Sequence, residues 1–221
     1  MLDIFDILGP VMVGPSSSHT AGAVRIGRMA RTLLGAEVAR ADIGLHGSFA
    51  DTGRGHGTDR ALVAVLLGMK PDDLGIPQSF EIAANQGLEF HFHTARLRDA
   101  HPNTAVLTVE SADGRKLELQ AATGGGRIRV DRLDGVEVIF TGIFNTLVVR
   151  HQDVAGELSR ILNELSVSGV NIANMSLNRD RRGGAALTVV ETDQKIPADA
   201  LERIQALYGV LGATYYEKEE D

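Results

Sequence analysis

The run Gly14-Pro15-Ser16-Ser17-Ser18-His19-Thr20 gathers three serines, a histidine and a threonine just ahead of a helical pattern. One helix cap needs one hydroxyl, so the run carries more hydrogen-bonding capacity than a cap requires. A helix N-terminus also offers free N–H groups and a partial positive charge, which suits a carboxylate or a phosphate. The other reading is a polar loop with a redundant cap. Ser18 and His19 are chain neighbours rather than a nucleophile–base pair, and no acid stands as a third member, so a hydrolase triad has no support.

A second cluster is His46-Gly47-Ser48 followed by Thr52-Gly53-Arg54-Gly55-His56-Gly57-Thr58-Asp59. Glycines around an arginine and a histidine let backbone approach a ligand closely. His56 stands just before a helix, whose positive end favours the neutral, base-competent imidazole. A flexible turn with a solvent histidine is the alternative. His91 and His93 sit at i and i+2 in an alternating strand, spacing that can grip a metal, but no third ligand is near in sequence and both read as solvent-facing. No metal ligand is therefore assigned. His101-Pro102-Asn103-Thr104 reads as a turn opening a strand, and Thr123-Gly124-Gly125-Gly126 as an anion cradle or a tight bend.

These residues need elements to hold them. Ala23, Ile26, Ala30, Leu33 and Leu34 fall at helical spacing, predicting a helix from His19 or Thr20 to Leu34 with Arg25, Arg28, Arg31 and Thr32 in solvent. A strand is predicted over Val38–His46, a polar loop over Gly47–Gly57, and a buried helix over Arg60–Leu67 capped by Thr58 or Asp59. Leu88–His93 alternates as a half-buried strand with Leu88, Phe90 and Phe92 inward. Asp113-Gly114 joins strands over Asn103–Glu110 and Lys116–Ala122 into a hairpin, and Arg127–Asp131 and Val136–Phe140 are extended.

The last third has its own order. Strands over Ile143–Arg150, Asn171–Asn178, Ala185–Thr192 and Ala213–Tyr216 enclose helices over Val154–Val167 and Pro197–Tyr208. That β-α-β-β-α-β sequence is the ferredoxin-like arrangement. The fold class is α+β: a mixed α/β domain over residues 1–141, a ferredoxin-like domain over 142–217, and an acidic tail over 218–221.

Composition narrows the functions available. The chain of 221 residues has no cysteine, which excludes disulfides, thiolate zinc sites, cysteine nucleophiles and any iron–sulfur cluster held by its own thiolates. Aromatic residues make up 5% and tryptophan is absent, too few for stacking on single-stranded nucleic acid. A net charge of -7 has the wrong sign for phosphate neutralisation, so no nucleic-acid partner is expected. The acidic start Met1-Leu2-Asp3-Ile4-Phe5-Asp6 is no signal peptide, and the longest apolar run, Ala61–Met69, is far short of a membrane span. A cytoplasmic protein is expected.

Taken in order, Gly14–Thr20, Gly53–Asp59, His101–Thr104 and Gly124–Gly126 resemble the beta chain of iron–sulfur-dependent L-serine dehydratase. The last third resembles an ACT domain, through Gly156, Gly169-Val170-Asn171-Ile172 and Val189–Asp193, with Ala155 where the usual loop has proline. The resemblance implies conversion of L-serine to pyruvate and ammonia through an aminoacrylate. A 4Fe-4S cluster on a separate cysteine-bearing alpha chain acts as Lewis acid on the substrate hydroxyl, and a base removes the α-proton. Under that reading Ser16, Ser17, Ser18 and Thr20 hold the substrate carboxylate, and His56 is the base with His19 behind it. Asn103, Thr104, Gly124 and Gly125 line the cleft, while Gly156, Gly169 and Asn171 belong to an effector site in an ACT domain through which the chain self-associates. The first region also resembles the allosteric substrate-binding domain of some phosphoglycerate dehydrogenases, which implies a rival: a regulatory module that binds serine or another small anion and does no chemistry.

Overall fold

A computed structural model describes residues 17–53, 55, 57–124, 127–179 and 181–218. The chain divides into two compact units, residues 1–130 and 131–221. Both mix helices with β-sheet, as an α+β chain should.

In the first unit α1 (Ser17–Leu34) leads to β1 (Val38–His46), a short helix α2 (Ser48–Thr52) and α3 (Thr58–Leu66). A 3-10 turn (Ile76–Gln78) and α4 (Ser79–Gln86) follow, then β2 (Glu89–Thr94), β3 (Thr104–Ser111) and β4 (Lys116–Gly124). The strands run in the order β2-β1-β3-β4; β1 and β2 are parallel, whereas β1–β3 and β3–β4 are antiparallel. Ala23, Ile26, Ala30, Leu33 and Leu34 of α1 are all buried, as their spacing predicts. Helix α3 is buried from Ala61 to Leu66, which its continuous apolar run requires.

Two glycines of α1 set how closely it packs. A Cβ at Gly22 would lie 2.3 Å from Thr123 Oγ1, and one at Gly27 would lie 2.3 Å from Val65 Cγ1. The helix thus rests almost backbone-down on the end of β4 and on α3. At its other end Arg115 Nη1, just before β4, donates to Gly35 O at 2.8 Å. Helix α1 therefore runs antiparallel along β4, with its N-terminus at the end where β4 finishes.

Three local expectations need correction. Arg31 is not a solvent side chain: its Nη1 donates to Leu66 O at 2.6 Å, a cation on an orphan carbonyl at the end of α3. Thr58 does not cap α3, because left-handed Gly57 takes the cap position and the Thr58 side chain falls inside the first turn. The loop 47–57 is not wholly irregular, since Ser48–Thr52 is helical.

The division between units falls within β5 (Arg127–Leu133), which neighbours β4 in the strand order and β6 (Val136–Phe140) on its other side. Asp134 and Gly135, both at positive φ (48° and 77°), make the two-residue turn between β5 and β6. The second unit continues as β7 (Asn145–Gln152), α5 (Glu157–Val167), β8 (Ile172–Arg179), β9 (Ala185–Thr192), α6 (Ala198–Gln205) and β10 (Val210–Tyr216). Its sheet has the order β10-β7-β9-β8 with every pair antiparallel, the ferredoxin-like arrangement that the sequence predicts. Leu147, Val149, Ile161, Leu165, Val190, Ala200 and Ile204 form its core between sheet and helices. Pro197 stands just outside α6, as its cap, rather than in the first turn. No helix among the described residues is long and apolar enough to cross a membrane.

Candidate active site

Strand register brings the separated motifs to one end of the first sheet. His46, the last residue of β1, pairs with Thr104, the first of β3, and Thr104 pairs with Ala122 near the end of β4. Because α1 begins where β4 ends, residues 17–20 arrive at the same edge. The loop after β1 closes on the turn before β3: Phe49 N–H donates to Pro102 O at 3.4 Å, and a Cβ at Gly47 (φ +53°) would lie 2.8 Å from that oxygen. The loop containing His56 is anchored here too. Its feet join through Thr58 N–H to Gly53 O at 2.9 Å, and Gly53 abuts Leu45, next to the end of β1.

Around this edge the polar groups are specific. Thr104 is buried and donates its hydroxyl to His101 O at 2.7 Å, fixing the turn rather than reaching outward. Asn103 N–H donates to His101 Nδ1 at 3.1 Å, and Asn103 O accepts from Thr123 N–H at 3.0 Å. An accepting Nδ1 leaves the hydrogen of the neutral ring on Nε2. That Nε2 is the nearest group to the open side of Gly124, 3.7 Å from where a Cβ would stand. The sequence gives His101 a turn and a place in a family-like segment but no site role; the signal for one is a histidine two residues before a backbone N–H at a strand start.

Thr20 is buried at the start of α1. Thr58 and Thr123 are also buried, and neither hydroxyl has a hydrogen-bond partner among the described residues. An unpaired buried hydroxyl costs about 1–3 kcal/mol, and both of these belong to the segments that meet at this end of the sheet. Ser17, Ser18 and His19 belong to the first turn of α1, and their side chains are not described. Ser16, His56 and Gly125 lie outside the described residues.

The residues assigned to an effector site are less concentrated. Gly156 (φ +87°) precedes α5 and Gly169 (φ +69°) follows it, so the helix of 11 residues separates them. That is about 16 Å at 1.5 Å per residue. Asn171 lies beside Gly169 and donates Nδ2 to Asp193 Oδ2 at 2.6 Å. Glu157, unmarked by any sequence signal, is buried directly after Gly156; its Oε2 lies 3.3 Å from Arg160 Nη2.

The second unit's βαββαβ order thus defines an α+β protein ending in a small ferredoxin-like module, and residues 145–207 match the family model of the ACT domain. Residues 1–87 match that of the serine dehydratase beta chain. The probable L-serine dehydratase beta chain of Bacillus subtilis (strain 168) is 39% identical over 212 residues, covering 96% of each chain. The L-serine dehydratase beta chain of Peptoniphilus asaccharolyticus is 34% identical over 215 residues, covering 96% of this chain and 97% of that one. A D-3-phosphoglycerate dehydrogenase of Archaeoglobus fulgidus is 22% identical over 197 residues, covering 88% of this chain and 37% of that enzyme. The chain belongs to the serine dehydratase beta-chain family.

Proposed function

We propose that this chain is the beta subunit of a cytoplasmic L-serine dehydratase, a lyase that converts L-serine to pyruvate and ammonia with a cysteine-bearing alpha chain. In the reaction the α-carbon loses its proton and the β-carbon its hydroxyl, leaving an aminoacrylate. The aminoacrylate tautomerises to an imine, and water hydrolyses it to pyruvate and ammonia. A 4Fe-4S cluster would need thiolate ligands. With no cysteine in the sequence, this chain's residues do not fit that group, which we assign to the alpha chain.

The contribution of this chain is to bind, orient and move a proton. The amino end of α1, with Ser16, Ser17, Ser18 and Thr20, receives the substrate carboxylate, because its N–H groups and dipole favour an anion there. His56 takes the α-proton and His19 is the second candidate. Asn103, Gly124 and Gly125 line the cleft, and Thr104 keeps its His101 turn in place. The observation that carries this reading is the convergence of α1, the loop after β1, the 101–104 turn and the end of β4 on one sheet edge. In the second module, which we start near residue 142, Gly156 and the Gly169–Asn171 pair occupy opposite ends of α5. A ligand shared between them therefore needs two copies, and we take self-association through this module as its mode of effector binding.

The test is turnover in the complex with the alpha chain. His56→Ala should lower kcat by about 10²–10⁴, the usual share of a general base, with an unchanged far-ultraviolet spectrum. Near-normal turnover would remove His56 from the role. The similarity to a phosphoglycerate dehydrogenase across 88% of this chain favours a second reading, a serine or anion sensor. A colourless complex that binds L-serine and releases no pyruvate would establish it.

A further inference from the structure

We propose that Asp42, His91 and His93 form a binding site for a divalent transition metal on the polar face of the first sheet. The parallel pairing of β1 and β2 sets Asp42 opposite His91 and Gly44 opposite His93. Alternate strand residues point to one face, so the two imidazoles and the carboxylate project together, away from the side where Ile43 is fully buried. Asp42 divides its oxygens between the rings: Oδ1 lies 3.0 Å from His91 Nδ1 and Oδ2 lies 3.4 Å from His93 Nδ1. One ligand atom from each residue can be chosen so that all three lie within 4.8 Å of one another. Around zinc with bonds near 2.0 Å, neighbouring ligand atoms of a tetrahedron are about 3.3 Å apart, so each ring nitrogen already stands at about that distance from one oxygen of the Asp42 carboxylate.

A second observation concerns the space the rings occupy. A Cβ at position 44 would lie 2.8 Å from His93 Nε2 and 3.2 Å from its Cε1. Glycine at 44 is what lets the His93 ring lie across β1, stacked on His91 with centroids 5.9 Å apart and planes inclined by 17°. One step back on the same face Arg40 is engaged by Glu89 at 3.0 Å, which leaves Asp42 to the histidines. Two imidazoles and one carboxylate form a donor set for zinc, cobalt, nickel or copper(II), whereas magnesium and calcium prefer oxygen alone. All three residues are exposed, so water completes the coordination and the ion exchanges freely. Asp42 is four residues from His46, about 13 Å along the strand at 3.3 Å per residue, so the ion would sit on the sheet face and not at the motif-bearing end.

The experiment is titration of the tag-free full chain with Zn²⁺, and with Co²⁺ as a visible reporter. One equivalent should bind and the cobalt complex should show d–d absorption. Asp42→Asn and His93→Ala should each weaken binding about tenfold or more, the scale on which even outer-shell substitutions act. Gly44→Val should weaken it by displacing the ring. Melting of the metal-free variants checks that they fold; if Gly44→Val does not, Asp42→Asn alone decides. The proposal fails if wild type binds no more tightly than the His91→Ala/His93→Ala double variant. It also fails if Asp42→Asn leaves the affinity unchanged, since the histidines would then be an ordinary surface pair.

Discussion

The end of the first sheet and the second unit differ in where their buried polar groups go unpaired. In the second unit His151 lies between Thr188 Oγ1 at 2.8 Å and Gln152 O at 2.9 Å, and Thr192 donates to Gln194 O at 2.9 Å. Glu191 accepts from Asn174 Nδ2 at 3.0 Å and from Thr141 N–H at 3.5 Å. At the first unit's motif-bearing edge Thr58 and Thr123 hold hydroxyls that meet no partner among the described residues, and glycines stand where a side chain would collide with backbone or a neighbouring chain atom. The second unit also holds buried atoms without a hydrogen-bond partner among the described residues, Asn145 Nδ2, Ser176 Oγ and the Glu157 carboxylate oxygens, but these lie on β7, β8 and α5, whereas the two threonine hydroxyls of the first unit stand with the motif segments. That contrast is what separates a module that can be read from its core from one that must be read from its site.

The largest effect expected of the contrast is on stability in the second unit. Leu165 is fully buried in its core, and Leu165→Ala should destabilise that unit by about 2–5 kcal/mol. Scanning calorimetry should show one transition moving and the other staying. If both move together, the two units unfold as one cooperative body and the contrast is one of composition only.

A smaller change tests the close packing of the first unit. At Gly27 a Cβ meets Val65 Cγ1 at 2.3 Å while the next atom, Leu62 Cδ2, is 3.5 Å away. Gly27→Ala should therefore cost about 1–3 kcal/mol through overpacking, less the roughly 1 kcal/mol that alanine gains over glycine in a helix. In a Val65→Ala background the collision is gone, and the same substitution should stabilise. Chemical denaturation of the four variants gives the coupling. Lack of a sign change would mean that the approach of α1 to α3 is set elsewhere.

How far the fold could be read in advance follows from the same distinction. β1 and the Asp113-Gly114 hairpin have strong local signals, alternation and turn chemistry, and they form where expected. The βαββαβ order is legible because amphipathic helices and alternating strands follow one another with short turns. Helix α4 was not legible: of its eight residues only Ser79 and Ala83 are buried, and Phe80 packs instead on Phe90 and Phe92. The pairing of β1 with β2 has no local signal either, because alternation fixes a strand's faces but not its partner. That is why Asp42 could not be matched to His91 and His93 from spacing alone. The motif segments were legible as residue types, but their meeting depends on register over long separations, such as His46 with Thr104. Arg31 shows the reverse failure, since a charged residue off the apolar face reads as a solvent group and instead serves a helix end.

The hydroxyl of Thr123 offers a finer test. Thr123→Val keeps the shape and removes a group that has no partner among the described residues. Because leaving a hydroxyl buried and unpaired costs free energy, the isolated chain should become more stable by up to about 1 kcal/mol. In the complex with the alpha chain the same variant should bind L-serine less well if that hydroxyl serves the substrate. Greater stability with unaltered kinetics would make it a packing residue, and lower stability would mean that the hydroxyl has a partner in the folded chain.

The smallest effect expected lies in the second unit and concerns acid. Asp153, just after β7, accepts from the backbone N–H of Gly183 and from Arg179 Nη1, both at 2.9 Å, tying the turn between β8 and β9 to the end of β7. The Gly183 N–H and then the Arg179 guanidinium hold its carboxyl below the ordinary carboxylate range. A carboxyl depressed in the folded state stabilises above its unfolded pKa, near 3.9, and that contribution fades as pH falls through this value toward the folded one. Asp153→Asn should leave a shallower loss of stability between about pH 4 and the folded value, with less stability than wild type at neutral pH. The first unit holds its own version in Asp113, depressed by Arg115 and Ser111 at the turn of the β3–β4 hairpin. Asp113→Asn should flatten the acid limb of the first unit's transition only. If either substitution flattens both, acid unfolding is set by charge summed over the whole chain and not by these two turns.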